Sequence, residues 1–131
     1  MSFLEDLAAV LNTAGGGVYP GTSATRTIYI GEMPDAPDAV LGLYDRSGRS
    51  STLYSGGELR KPELHVEVRA ATFSAAVSKL EAVRAALQLY SGTVNGTLYV
   101  SVIAIGEATP LGKDARNRTM RSMNFEVHIA A

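Results

Sequence analysis

The sequence predicts an α+β domain, a mostly antiparallel sheet of four to five strands with two helices on one face, in the order α-β-β-β-α-β-β. Three observations carry this expectation. Between Glu63 and Tyr90 the hydrophobic period changes near Ala71. Leu64, Val66, Val68 and Ala70 alternate with His65, Glu67 and Arg69, the period of a strand with one buried face. Phe73, Ala76, Val77, Leu80, Val83, Leu87 and Tyr90 then recur every three or four residues, one stripe of a helix about five turns long. Second, Thr97 to Ile105 is apolar almost throughout, which predicts a central strand covered on both faces. Third, Met123, Phe125, Val127 and Ile129 alternate with Asn124, Glu126 and His128, a final half-buried strand.

A chain of 131 residues fits a single domain over 1–131 that buries roughly two thirds of its unfolded surface. With 46% hydrophobic and 19% charged residues it is too apolar to be disordered. The formal charge of −1 argues against a subunit whose task is to grip nucleic acid. The absence of cysteine excludes disulfides, a thiolate nucleophile and cysteine-ligated metals. The start of the chain lacks the pattern of a signal peptide, and no apolar run approaches the ~20 residues that span a bilayer. Synthesis in a cytoplasm and no membrane partner are therefore expected.

The elements follow in order. Ser2 and Glu5 have the form of a capping box, and Leu4, Leu7, Ala8 and Leu11 follow at helical spacing, so a short helix runs to about Asn12. Gly15-Gly16-Gly17 reads as a flexible turn; as a phosphate cradle it lacks a preceding strand and any nucleotide-binding spacing. Arg26 to Ile30 is a strand, stopped by Gly31, and the prolines at 34 and 37 make the next segment a connector. Asp38 to Tyr44 returns as a second strand. Asp45 to Lys61 is polar and reads as a long loop or a loose hairpin, expected to be poorly ordered in a free subunit and ordered in an assembly. Ser91-Gly92 supplies a left-handed cap for the long helix, Asn95-Gly96 a hairpin turn, and Gly106 to Gly112, with Pro110, a connector.

Candidate chemistry is sparse. His65 beside Glu67 and His128 beside Glu126 sit on polar strand faces; if those strands pair, the cluster suits a metal or acid–base work, or else is a set of cross-strand pairs. Glu32, Asp35 and Asp38 form an acidic group that solvation alone explains. Lys113, Arg116, Arg118 and Arg121 read as a nucleic-acid contact or, more simply, as a charged edge strand. Neither a GxSxG elbow nor a nucleotide-binding loop is present. An enzyme is disfavoured, and no cofactor, metal or catalytic residue is expected.

Three segments together resemble a known family: the helix FLEDLAAVLN, the segment IGEMPDAPDAVLGLY with its Met-Pro-x-x-Pro connector (Met33 to Pro37), and the strand KPELHVEVRA. The chain is similar to the small tail-terminator and minor capsid proteins of long-tailed bacteriophages, of the lambda type. The resemblance implies a structural virion protein that forms a ring, typically of six subunits, at the head-proximal end of the tail. Such a ring stops tube polymerisation and presents a surface for head–tail joining. The implied partners are other copies of the chain, the tail-tube protein and the head connector or stopper; the genome passes through the pore without sequence-specific binding. The candidate interface comprises Met33, Pro34 and Pro37 in the connector; Arg46, Arg49, Tyr54, Glu58, Arg60 and Lys61 in the long loop; His65, Glu67 and Arg69 on the polar sheet face; and Arg116 and Arg118. Two alternatives stand beside it: another neck or connector component, and a small α+β enzyme or ligand-binding module using the His65 and His128 face.

Overall fold

The polar stretch after Tyr44, expected as a long loop or a loose hairpin, is strand over most of its described residues. In the computed structural model, which describes residues 3–22, 25–35, 37–52 and 58–130, β2 (Val40–Thr52) and β3 (Glu58–Ala70) form one long antiparallel hairpin. Its register runs from Val40 opposite Arg69 to Thr52 opposite Glu58, with one irregularity between Arg46 and Arg49. Backbone ladder bonds do not need apolar side chains, and arms anchored by Leu41, Leu43, Leu64 and Val66 carry the polar outer halves with them. The loose-hairpin alternative is therefore the one realised over the described part; Tyr54 lies outside the described residues.

The remaining elements are α1 (Phe3–Thr13), β1 (Ile28–Ile30), α2 (Phe73–Leu87), β4 (Gly92–Val94), β5 (Thr97–Lys113) and β6 (Thr119–Ala130). The six strands lie in the order β1-β2-β3-β6-β5-β4, with β1 parallel to β2 and every other pair antiparallel. The fold is α+β as expected, but the sheet has six strands and is mixed. The extra strand, β4, is three residues long and pairs with the start of β5 through the predicted Asn95-Gly96 turn, where φ is +49° and +81°.

Both helices pack on one face of the sheet. Leu4, Leu7 and Leu11 of α1 and Ala76, Leu80, Val83 and Leu87 of α2 meet the inward side chains of β2, β3, β5 and β6. Gly15, at φ +83°, ends α1: Gly16 N–H reaches the Leu11 carbonyl at 2.8 Å and Gly15 N–H the Asn12 carbonyl at 3.1 Å, a Schellman motif. The glycine run is thus a helix stop. Within the core, Asp6 of α1 is buried and accepts from the Tyr99 hydroxyl at 2.5 Å and from Asn95 Nδ2 at 2.7 Å, tying the helix to the β4–β5 hairpin. Burial, with the carboxylate beside it, pushes the Tyr99 hydroxyl far above its usual range, so it remains a donor.

Five further expectations are corrected. Phe73 does not join the buried stripe: at the first turn of α2 it lies over the end of the β5–β6 pair, 61% exposed, with the Arg121 guanidinium 5.4 Å from its ring. The helix is shorter than five turns, capped by Thr72, whose hydroxyl accepts from Ala75 N–H at 3.2 Å. At its other end the left-handed residue is Leu89 (φ +62°), because the chain must turn there to meet β5; Gly92 already belongs to β4. Finally, β5 continues through Gly106 to Lys113 with register shifts where a connector was expected, and β6 is a central strand bonded to β3 and β5, so Arg121 on it cannot guard an edge, while Arg116 and Arg118 lie in the turn before it. Among the described residues no helix is long and apolar enough to cross a membrane.

Candidate interaction surface

Among the described residues, the sheet face away from the helices has no covering layer except at one end, where the proline connector crosses it. Gly42 of β2 makes room: a Cβ there would stand 2.6 Å from Met33 Cγ and 2.9 Å from the Tyr44 ring, so Met33 lies flat on the strand. Arg69 and Arg118 fix the connector from below. Arg69 donates through Nη2 to the Pro34 and Pro37 carbonyls at 2.6 and 2.7 Å, and through Nε to the Asp38 carbonyl at 3.3 Å. Arg118 donates to the Asp35 carbonyl and carboxylate at 2.5 and 2.9 Å, to Asp38 Oδ1 at 3.2 Å and to Asp114 Oδ2 at 2.8 Å.

Asp114 organises the turn that delivers Arg118. Its Oδ1 accepts from the backbone N–H of Arg116 at 3.0 Å and of Arg118 at 2.9 Å. Those bonds, the Arg118 N–H first, hold its carboxyl below the usual carboxylate range, and the Asp114 bond in turn raises the Arg118 guanidinium. Burial, and then the neighbouring Arg118 charge, pull Arg69 down. Arg69 and Arg118 are thus internal fasteners, 4% and 5% exposed, and not the outward contact residues expected of them. Arg116 does face out and pairs with Asp35 at 3.2 Å. Asp35 and Asp38, read as merely solvated, are partners of arginine. Met33, Tyr44, Glu67, Arg69 and Arg116 border a polar cleft of about 390 Å³ beside the connector.

In the middle of this face lie the two histidine pairs. His65 has both ring nitrogens facing oxygens: Nδ1 is 2.6 Å from Asn124 Oδ1 and Nε2 is 2.9 Å from Glu67 Oε2. Arg46 donates to the same Asn124 oxygen at 3.2 Å, which fixes the amide's orientation. His128 Nε2 is 2.5 Å from Glu126 Oε1, and its Nδ1 is 3.3 Å from Ser101 Oγ. The pairs do not converge. His65 stands opposite Asn124, so His128 is four residues further along β6, about 13 Å at ~3.3 Å per residue. Among the described residues no group of three or more acidic or histidine side chains is placed to hold a metal ion. His65 with Asn124 and His128 with Ser101 are cross-strand pairs, whereas each His–Glu contact runs within one strand.

On the hairpin, Arg49 is opposite Lys61, Arg60 opposite Ser50, and Glu58 opposite Thr52, so these candidates flank one long ladder. Arg60 is exposed and Lys61 half-buried.

A contact feature absent from the sequence-based candidates lies on β5. Leu98, Val100, Ile103, Ile105 and Leu111 are all exposed. A bulge between Tyr99 and Ser101 flips the alternation within this nearly all-apolar run: Tyr99 and Val102 point to the core, whereas Val100, Ile103 and Ile105 point out. An alternating pattern broken once, rather than an unbroken apolar run, was the available signal.

The model of one protein family, described as bacteriophage tail terminator protein, matches residues 10–131. The chain belongs to this family. It is a structural component of the phage virion, in agreement with the resemblance carried by the Met-Pro-x-x-Pro connector and the β3 strand. Among solved structures, a chain from the virion of a native gene transfer agent particle is similar, with a TM-score of 0.65 and 15% identity over 95% of this chain and 84% of that one. At that identity the likeness is one of fold. No curated protein sequence matches the chain.

Proposed function

We propose that this tail-terminator family member closes a ring on the head-proximal end of the tail tube, stops tube growth there and offers its other axial surface to the head connector. Family membership over residues 10–131 carries the reading. Three features support the reading: among the described residues no layer covers most of one sheet face, β5 carries an exposed aliphatic strip, and two buried arginines fasten the connector. Termination needs different surfaces toward neighbour, tube and head, and the aliphatic strip, the long hairpin and the fastened connector are three chemically distinct ones.

The purified chain, mixed with its tail-tube protein and imaged by electron microscopy, tests this. Rings capping one end of length-limited tubes are expected. Uniform monomers without effect on tube length would overturn the proposal. Replacing both His65 and His128 with alanine should leave capping intact, because neither histidine is assigned chemistry.

A further inference from the structure

Where α2 begins over the end of the β5–β6 pair, a small apolar pocket has two cations at its sides. Phe73, Pro110, Thr119 and Met120 form its walls, Lys113 and Arg121 flank it, and its volume is about 170 Å³. Strand register builds it. Arg121 continues the inward series of Val127, Phe125 and Met123, so it points to the helix layer at the place where the core ends. Pro110 is directly opposite Arg121 and Lys113 directly opposite Thr119, which puts these side chains on the same face.

The Arg121 guanidinium lies 5.4 Å from the centre of the Phe73 ring, and each group holds the other in place. Its Nε is buried and donates to no acceptor among the described residues, whereas its Nη nitrogens are not enclosed. No carboxylate of the described residues pairs with Arg121 or with the exposed Lys113. The neighbouring acid, Asp114, is taken by Arg118 and two backbone N–H groups. The first turn of α2, at the positive end of its dipole, contains no acidic residue either. The pocket is therefore positive as well as apolar.

We infer that this pocket receives an acidic segment of a different protein, with an aliphatic side chain entering beside Phe73, Pro110 and Met120 and an adjacent carboxylate meeting Lys113 and Arg121. A cavity of this volume is of the size that holds a benzene ring, enough for one Leu, Ile or Val side chain. Ring and guanidinium are already ordered, so little side-chain freedom is lost when the segment docks. A phosphate backbone would supply charge without an apolar body and leave the pocket unfilled. A second copy offers a poorer match. On β5, Ile103 adjoins Glu126 and Ile105 is two residues from Glu107, but His128 and Arg84 already engage those acids. The contact is with another chain and does not depend on whether copies of this one close a ring.

NMR titration of the full chain with the synthetic peptide GSELDEGS tests the inference. The Phe73 ring, Met120 methyl and Arg121 Nε–H signals should move saturably, with a Kd of about 1 mM or tighter. The uncharged peptide GSQLNQGS and the truncated peptide GSEADEGS should each bind about tenfold more weakly or worse, one lacking the charge and the other the aliphatic anchor. Lys113→Glu, at an exposed site, should weaken GSELDEGS by a similar factor with an unchanged Tm. Phe73→Ala should do the same while leaving core signals such as Phe125 in place. Stationary signals at several millimolar peptide, or equal binding of all three peptides, would overturn the inference. Tighter binding of a short DNA duplex at the same signals would make this a phosphate site, and movement of those signals with concentration of the chain alone would make the occupant a second copy; either result also overturns it.

Discussion

Asp114 shows how one side chain can set the form of a surface. Its carboxylate gathers two backbone N–H groups and the Arg118 guanidinium, and Arg118 then reaches over to hold Asp35 and Asp38. Because those bonds favour the ionised form, the carboxyl titrates lower in the folded chain than in the unfolded one, where it lies near ~3.9. The linkage has a definite sign. The stabilisation is fully present above the unfolded pKa and is lost as pH falls through the lower folded value. Urea midpoints measured from about pH 6 down to about pH 2 should therefore fall less steeply for Asp114→Asn than for the parent below about pH 4, with the variant the weaker of the two at neutral pH. Identical acid limbs would show that Asp114 is not the group being titrated. None of this was legible in the sequence. Asp35, Asp38 and Arg118 are some 80 residues apart in the chain, and only the sheet order brings them together.

At the scale of elements, the connector and the strand under it behave as one piece. Met33 rests where Gly42 has no side chain, so a methyl group there must displace the thioether. Gly42→Ala is expected to cost about 1–3 kcal/mol as an overpacked site, and to shift the Met33 methyl resonance while leaving those of the helices in place. An unchanged Met33 signal would mean the connector does not lie on β2. Strands with a clean alternation, such as Leu64 to Ala70 and Met123 to Ile129, were readable directly, as were the α1 stripe and the Asn95-Gly96 turn. The outer halves of β2 and β3 were hidden because their stability comes from backbone pairing extended from a buried base, which leaves no hydrophobic period to detect. On β5 the reverse holds: a nearly all-apolar run implies two buried faces, whereas among the described residues one face remains uncovered. Leu89 belongs with that finding, a large apolar residue held at positive φ and 71% exposed, where Gly or Asn is the ordinary choice.

For the whole molecule, strand order decides where cohesion lies. β6 is bonded along most of its length to β3 on one side and to β5 on the other, and its inward residues Met123, Phe125 and Val127 contact the core under α2. The edge strands β1 and β4 are three residues each and are paired on one side only. Native-state hydrogen exchange of the isolated subunit should follow this order. Amides of Val66, Val68, Phe125 and Val127 should exchange only through global unfolding, with denaturant dependence equal to that of the whole chain, whereas those of β1 and β4 should exchange through local opening that denaturant barely affects. The pairing of β3 with β6 joins segments on either side of α2, β4 and β5, so it cannot form before a long loop closes. Refolding should accordingly be slow for a chain of this size, and protection of β3 and β6 should appear together in a pulse-labelling experiment. If β4 were protected as strongly as β6, or if β3 gained protection well before β6, the sheet would not be held from its centre. The exposed aliphatic strip on β5 would then belong to a mobile border rather than to a rigid surface.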